Sequence, residues 1–225
     1  MKKRLLWLCG IFASWALLLA LLFTCLQWRV TGTEYFRREY EKYQVTQAVH
    51  MEMDDLLLVT EHMMAYLFGR EESLQVHTVI DGKENVPFFN EKEIRHMKDV
   101  KNLFDGGRVL RRFCIFMAAA MIFLCLWQKQ GRLLLSALRT GIAVGLLGSG
   151  ALVGLLLTNF TKYFIQFHLI FFDNDDWLLD FRTDRLINIV PEGFFSDTSY
   201  WIGGSFLAIS LLVFLGINLF LKRKS

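Results

Sequence analysis

The stretch LLWLCGIFASWALLLALLFTCL, Leu5 to Leu26, decides the fold. It carries no charge, and about 20 helical residues cross a hydrocarbon core of about 30 Å. A spanning segment must satisfy its own backbone polar groups, so it is read as a helix. Three further windows repeat the pattern. Phe113–Trp127 follows Arg111 and Arg112 and precedes Lys129. Leu133–Leu157 is interrupted only by Arg139, and Trp201–Leu221 is uncharged. The second window is short and must borrow residues at its ends. The 54% hydrophobic content is therefore concentrated, not spread. The expected fold class is an all-α membrane protein, four transmembrane helices with a small mixed α/β extracytoplasmic cap. The expected boundaries are helices at 5–27, 111–128, 133–158 and 200–221, the cap at 28–110, and an aromatic-rich segment at 159–199 that completes the site.

Orientation follows from basic residues near the span ends. Lys2, Lys3 and Arg4 precede the first span, Lys129 and Arg132 fill the turn between the second and third, and Lys222, Arg223 and Lys224 follow the fourth. With four spans these sites share one side, so both termini are expected in the cytoplasm. The net charge of +3 is accounted for by topology and asks for no nucleic-acid partner. The first span is expected to be retained: Leu22-Phe23-Thr24-Cys25 lacks the small residue of a lipoprotein-type cleavage site, and no Ala-x-Ala follows. Cys9, Cys25, Cys114 and Cys125 all fall in the first two spans, so no disulfide framework supports the external segments.

The first external segment has local structure. Glu34–Tyr43 is a polar, helix-prone run. Asp54–Phe68 places Leu57, Leu58, Glu61, Met64 and Leu67 at helical spacing. Gln75–Ile80 leads into Asp81-Gly82, a hairpin turn signal, so Val86–Phe89 can pair back. Asn90 and Glu93 have capping-box spacing and open a helix to about Phe104, which Asp105-Gly106-Gly107 is expected to stop. In the second external segment, Phe160, Phe164, Phe167 and Phe171 recur at helical spacing, as if the third span continued outward to about Asn174. Pro191 and Gly193 are expected to deny Leu186–Phe195 a long helix. Asn159-Phe160-Thr161 matches a glycosylation acceptor by chance.

The five histidines all lie outside the spans. His50, His62 and His77 sit in ordinary polar surroundings. His50 and Asp54 are one turn apart and could ligate a metal, but a site needs three or four ligands, and neither HExxH nor paired CxxC occurs; no metal is expected. His96 lies in the helix before the second span, with Asp99 three residues on, where a carboxylate can set an imidazole's tautomer and basicity. His168 lies just beyond the third span, among Phe164, Phe167, Phe171 and Phe172. Both are expected at one level, the cap–membrane boundary. Desolvation keeps such an imidazole neutral, as a general base must be. Two readings stay open: an acid–base pair, or buried histidines that only hydrogen-bond cap backbone. Gly148-Ser149-Gly150 lies within a span with no histidine at its depth, so helix packing explains it; Gly141, Gly145, Gly150 and Gly154 form small-xxx-small pairs. Asp175 and Asp176 read as solvated residues ending a helix. Asp173, Asn174 and Trp177 are placed nearer the pocket.

His96-Met97-Lys98-Asp99-Val100-Lys101, the run His168-Leu169-Ile170-Phe171-Phe172 through Asn174 to Trp177, Asp184, and Pro191-Glu192-Gly193-Phe194-Phe195 together resemble the lipoprotein intramolecular transacylase (Lit) family of small four-span bacterial membrane proteins. The resemblance covers nearly the whole chain. Phe181 departs from it, standing after Asp180 where the family often has Pro. The resemblance implies a diacylglyceryl-modified lipoprotein substrate, whose sn-2 acyl chain moves to the N-terminal cysteine amine and leaves a lyso-form lipoprotein. It implies catalysis by His96 and His168 at the extracytoplasmic face of the bacterial cell membrane, beside membrane lipid and with no cofactor. Proximity would supply much of the rate, and the aromatic wall would exclude water. Two alternatives remain in view: a non-enzymatic envelope protein whose cap binds a partner, and a transporter, which the scarcity of intramembrane charge argues against.

Overall fold

The computed structural model describes residues 2–223. Of the basic residues that bear on orientation, Lys224 and the side chain of Lys2 lie outside what is described. The elements run α1 (Lys2–Arg29), α2 (Thr33–Lys42), α3 (Val45–Val49), α4 (Met53–Leu67), β1 (His77–Ile80), β2 (Lys83–Pro87), α5 (Glu91–Trp127), α6 (Gly131–Thr158), α7 (Phe160–Phe171), α8 (Leu186–Ile189) and α9 (Glu192–Arg223). The chain divides into two compact units. One holds the residues through Leu26, Gly107–Thr158 and the chain from Tyr200 on; the other holds Gln27–Gly106 and Asn159–Ser199.

In the first unit, stretches of α1, α5, α6 and α9 have mean hydropathies of 2.4, 2.1, 2.0 and 2.2, long and apolar enough to cross a membrane. The chain is a multi-pass membrane protein. Phe116, Leu147 and Leu212 stay about 70% exposed or more, an arrangement that water disfavours and lipid tolerates. α1 meets α6 along a seam of small residues. A Cβ on Gly141 would stand 1.8 Å from Ser14 Oγ, so only glycine allows this approach. The indole N–H of Trp15 donates to the Gly141 carbonyl at 3.2 Å, and Ser14 Oγ donates to Ile11 O at 2.6 Å. Gly145 has the same role against Leu18, whereas Gly150 and Gly154 face open space.

The second unit has its own core. α2 buries Tyr35, Phe36, Glu39 and Tyr40, one face of a short helix. They meet Leu56, Val59 and Met63 of α4, Phe88 and Phe89 after β2, Met97 of α5 and Ile189 of α8. The Tyr40 and Thr60 hydroxyls pair at 2.6 Å, satisfying both in the interior. β1 and β2 form an antiparallel hairpin with His77 opposite Pro87 and Thr78 opposite Val86. Its turn is Asp81-Gly82, with φ of 51° and 71°, as expected of an Asp-Gly turn.

Four expectations change. Asp105-Gly106-Gly107 does not stop the helix; α5 runs through it unbroken. An interior glycine only weakens a helix, by about 1 kcal/mol, and at Gly107 a Cβ would lie 2.8 Å from the Phe23 ring. The third span does not continue outward: Asn159 breaks it and caps α7, accepting from Lys162 N at 3.0 Å. The fourth span's helix begins at Glu192, directly after Pro191, where a missing N–H is harmless. Gly193 therefore lies inside that helix, and a Cβ there would meet the Tyr43 ring at 2.5 Å. On α4 the buried stripe includes Leu57, Met64 and Leu67, but Leu58 and Glu61 face out.

Candidate active site

α5 opens with a complete capping box. Glu93 N donates to Asn90 Oδ1 at 2.9 Å and Asn90 N donates to Glu93 Oε2 at 2.7 Å. The other Glu93 oxygen accepts from Leu186 N. A single buried carboxylate thus starts α5 and anchors the segment leading into α8. Burial raises its pKa, and the two backbone donors oppose that rise. The same face of α5 continues the attachment. Lys92 donates to Leu178 O, Arg95 grips both oxygens of Asp176 at 2.9 Å, and Asp99 Oδ2 accepts from Asn174 Nδ2 at 2.8 Å. Buried Asp184 accepts from Asn90 Nδ2 and from Asp180 N, both at 2.8 Å. The polar loop after α7 is therefore held against the first turns of α5.

These attachments bring His96 and His168 together. His96 lies one turn beyond Glu93, in the polar first part of α5 and well before its apolar stretch; His168 lies in the last turn of α7. They are 7% and 8% exposed, with ring centroids 6.1 Å apart. Aromatic side chains surround them. Trp177 stacks on His168 at 4.8 Å, Phe164 meets it edge-on at 4.5 Å, and Phe167 stands at 5.6 Å. Phe172 touches both imidazoles, at 5.2 Å from His96 and 5.5 Å from His168. Phe195, which was not anticipated, leans on Phe164 at 5.2 Å.

The two rings are wired differently. His168 Nδ1 lies 2.7 Å from the Phe164 carbonyl. A carbonyl only accepts, so Nδ1 carries the proton and Nε2 keeps its lone pair. His96 Nδ1 is buried and has no hydrogen-bond partner among the described residues. Burial first and the neighbouring His168 second bring the His96 pKa down to about 4, while Asp99 and Asp176 oppose the shift. Burial also lowers the His168 pKa, against the opposing pull of the Phe164 carbonyl. Both imidazoles are neutral near pH 7.

Of the residues singled out in the sequence, His96, His168, Phe164, Phe167, Phe172 and Trp177 meet directly. Phe171 reaches only the Phe167 ring, at 4.7 Å, and stays half exposed. Asp99 accepts its hydrogen bond from Asn174 and not from the imidazole, so its effect on His96 acts through charge. Asp173 is exposed and makes no hydrogen bond or ion pair among the described residues. Asp176 is not simply solvated, because Arg95 holds it. Arg95 and Asp176 are 81 residues apart, and no local pattern joins them. His50 stands 3.6 Å from Asp81, while Asp54 pairs with Arg37, so the suggested His50–Asp54 ligand pair does not form.

Four long apolar helices define a class, multi-pass membrane proteins, and this chain adds to it a pair of buried imidazoles in an aromatic enclosure. Within that class the family is settled by sequence. The pattern of the lipoprotein intramolecular transacylase Lit matches residues 11–195, and the chain belongs to that family of acyltransferases. The fold is similar to a solved structure of the membrane-integral lipoprotein intramolecular transacylase Lit from Bacillus cereus, with a TM-score of 0.80 at 21% identity, over 99% of this chain and 97% of that one. A variant of the Bacillus cereus protein with one histidine changed to alanine matches with a TM-score of 0.79 at 20% identity, over 99% and 96% of the two chains. An Aquifex aeolicus (strain VF5) protein described as uncharacterized is 33% identical over 142 residues, 60% of this chain. The match spans 61% of that relative's length.

Proposed function

We propose that this chain transfers the sn-2 acyl group of a diacylglyceryl-cysteine lipoprotein to the α-amine of the same cysteine, leaving a lyso-form lipoprotein. The observation that carries the reading is the 6.1 Å pairing of two buried imidazoles, one with its tautomer set by a backbone carbonyl. Nitrogens on rings this far apart can reach two substituents of one tetrahedral carbon through hydrogen bonds of about 2.7–3.0 Å.

His168 Nε2, with its free lone pair, takes a proton from the amine as nitrogen attacks the ester carbonyl. His96 donates a hydrogen bond to the developing oxyanion and then passes its proton to the departing glyceryl oxygen, and His168, now protonated, restores it. One C–N bond forms and one C–O bond breaks. The amine proton is in effect delivered to the glyceryl hydroxyl once the two imidazoles exchange protons, so no cofactor enters the balance. Each of these roles is typically worth about 10²–10⁴ in rate. Phe164, Phe167, Phe171, Phe172 and Trp177 line the acyl path and limit hydrolysis by keeping water out. Asp173 and Asn174 border the entrance. The distribution of basic residues supports cytoplasmic termini, with the second unit as an extracytoplasmic cap next to membrane lipid.

The test is expression in a lipoprotein-competent bacterium lacking this activity, followed by mass spectrometry of N-terminal lipopeptides. Wild type converts diacyl to lyso-form lipoprotein. His96→Ala and His168→Ala each lose at least about 10²-fold in conversion while remaining in the membrane. Full conversion by either variant refutes the assignment.

A further inference from the structure

Charge around the imidazole pair is unevenly settled. Asp176 is matched by Arg95 through two 2.9 Å contacts. Asp99 has only the neutral amide of Asn174, at 2.8 Å, and no ion pair among the described residues. That amide is itself held, since Asn174 Oδ1 accepts from Asp176 N at 3.0 Å. Asp99 is thus a half-buried, pre-oriented carboxylate one helical turn beyond His96, with its charge unanswered. Close by, His96 Nδ1 is buried without a partner, which marks this level of the pocket as built for a polar group still to arrive.

A substrate of the proposed kind brings one cation, the α-ammonium of its terminal cysteine, which is mostly protonated at physiological pH with an ordinary pKa of about 7.7–8.0. We infer that Asp99 receives this ammonium and makes the enzyme select lipoproteins whose terminal amine is still free. The inference rests on the transacylase reading above. An ammonium has three donors. One binds Asp99 Oδ1 or Oδ2, which fixes the nitrogen; one proton is released to solvent before attack, and the neutral amine keeps an N–H for His168 Nε2 to take as nitrogen attacks. Asp99 remains a carboxylate throughout. A lipoprotein already acylated on nitrogen has no charge to offer, so the finished product is released and acylated lipoproteins are refused. Asp173 and Asp175 are also acidic and lie on the neighbouring loop, but both are exposed, where solvent and salt screen their charge.

Binding distinguishes these roles without turnover. Two dialkylglyceryl-cysteinyl peptides, ether-linked so that no acyl group can move, are titrated into the full-length protein in nanodiscs; one has a free amine and one is N-acetylated. Wild type is expected to bind the free amine about tenfold more tightly, the scale of a hydrogen bond between charged groups. Asp99→Asn lowers that ratio to about one or two and leaves affinity for the N-acetyl peptide unchanged, which also reports an intact pocket. Asp175→Asn keeps the wild-type ratio. The inference is overturned if Asp99→Asn keeps the preference, if Asp175→Asn abolishes it, or if Asp99→Asn loses both peptides together. If the wild type binds neither peptide saturably, the transacylase reading fails and this inference with it.

Discussion

Two buried polar clusters sit one helical turn apart on α5, and they are built on opposite principles. At Glu93 both carboxylate oxygens are occupied by backbone N–H groups, so burial is compensated. At His96 a ring nitrogen is just as buried and has no partner. A satisfied buried polar group specifies structure; an unsatisfied one is a standing penalty of about 1–3 kcal/mol that folding alone gives no reason to keep. The difference separates a turn of α5 whose polar group is fully used by the fold from a turn whose polar group is left free, as the proposed chemistry requires.

The comparison is tested most severely at the occupied cluster. Glu93→Ala strands the N–H groups of Asn90 and Leu186 and removes one of the bonds that tie the 180–190 segment to the start of α5. The expected loss is about 3 kcal/mol, read as a fall in thermal midpoint in detergent. Conversion should fall as well, because His168 then loses its frame. A variant with wild-type stability would mean that the cap bond and the Leu186 bond are replaceable by water.

The second test is pH. A His96 that titrates at about 4 when folded, against about 6.5 when unfolded, binds its proton more readily in the unfolded chain. Its contribution to stability is full above about 6.5 and declines as pH falls toward 4, by on the order of 3 kcal/mol. Glu39 and Glu93 act in the opposite direction, since burial raises both carboxyls and the folded state then takes up their protons first. The informative quantity is therefore the wild-type curve minus that of a variant without the imidazole. That difference should slope downward only below pH 6.5. A flat difference would mean that His96 is reached by water and titrates normally.

How far these clusters could be read in advance depended on sequence distance. The four spans follow from hydropathy because lipid admits few other solutions, and Asn90–Glu93 and Asp81-Gly82 are local patterns with local causes. His96 and His168 stood out because imidazoles beside apolar runs need a reason. The stop expected at Gly106-Gly107 failed because a packing contact, Phe23 against Gly107, outweighed intrinsic propensity. Asn159 shows the reverse: the apolar run to Leu157 and the phenylalanine periodicity from Phe160 flank it so closely that they read as one helix, and its preference for capping divides them. The Arg95–Asp176 and Asp99–Asn174 pairs join residues 81 and 75 positions apart, and nothing in either stretch names its partner.

The smallest effect carries the sharpest sign. His96→Leu removes the orphaned Nδ1 and fills similar volume with carbon, against Phe172 at one side. Replacing an unsatisfied polar group with an apolar one of similar shape is neutral or stabilising. The variant is expected to be more stable than wild type by about 1 kcal/mol while its lipoprotein conversion is lost, whereas Glu93→Ala loses both together. A thermal midpoint raised by a few degrees with activity abolished is the signature of a residue kept for chemistry. If His96→Leu instead destabilises the protein as Glu93→Ala does, the imidazole has a structural partner after all, and the contrast between the two turns of α5 disappears.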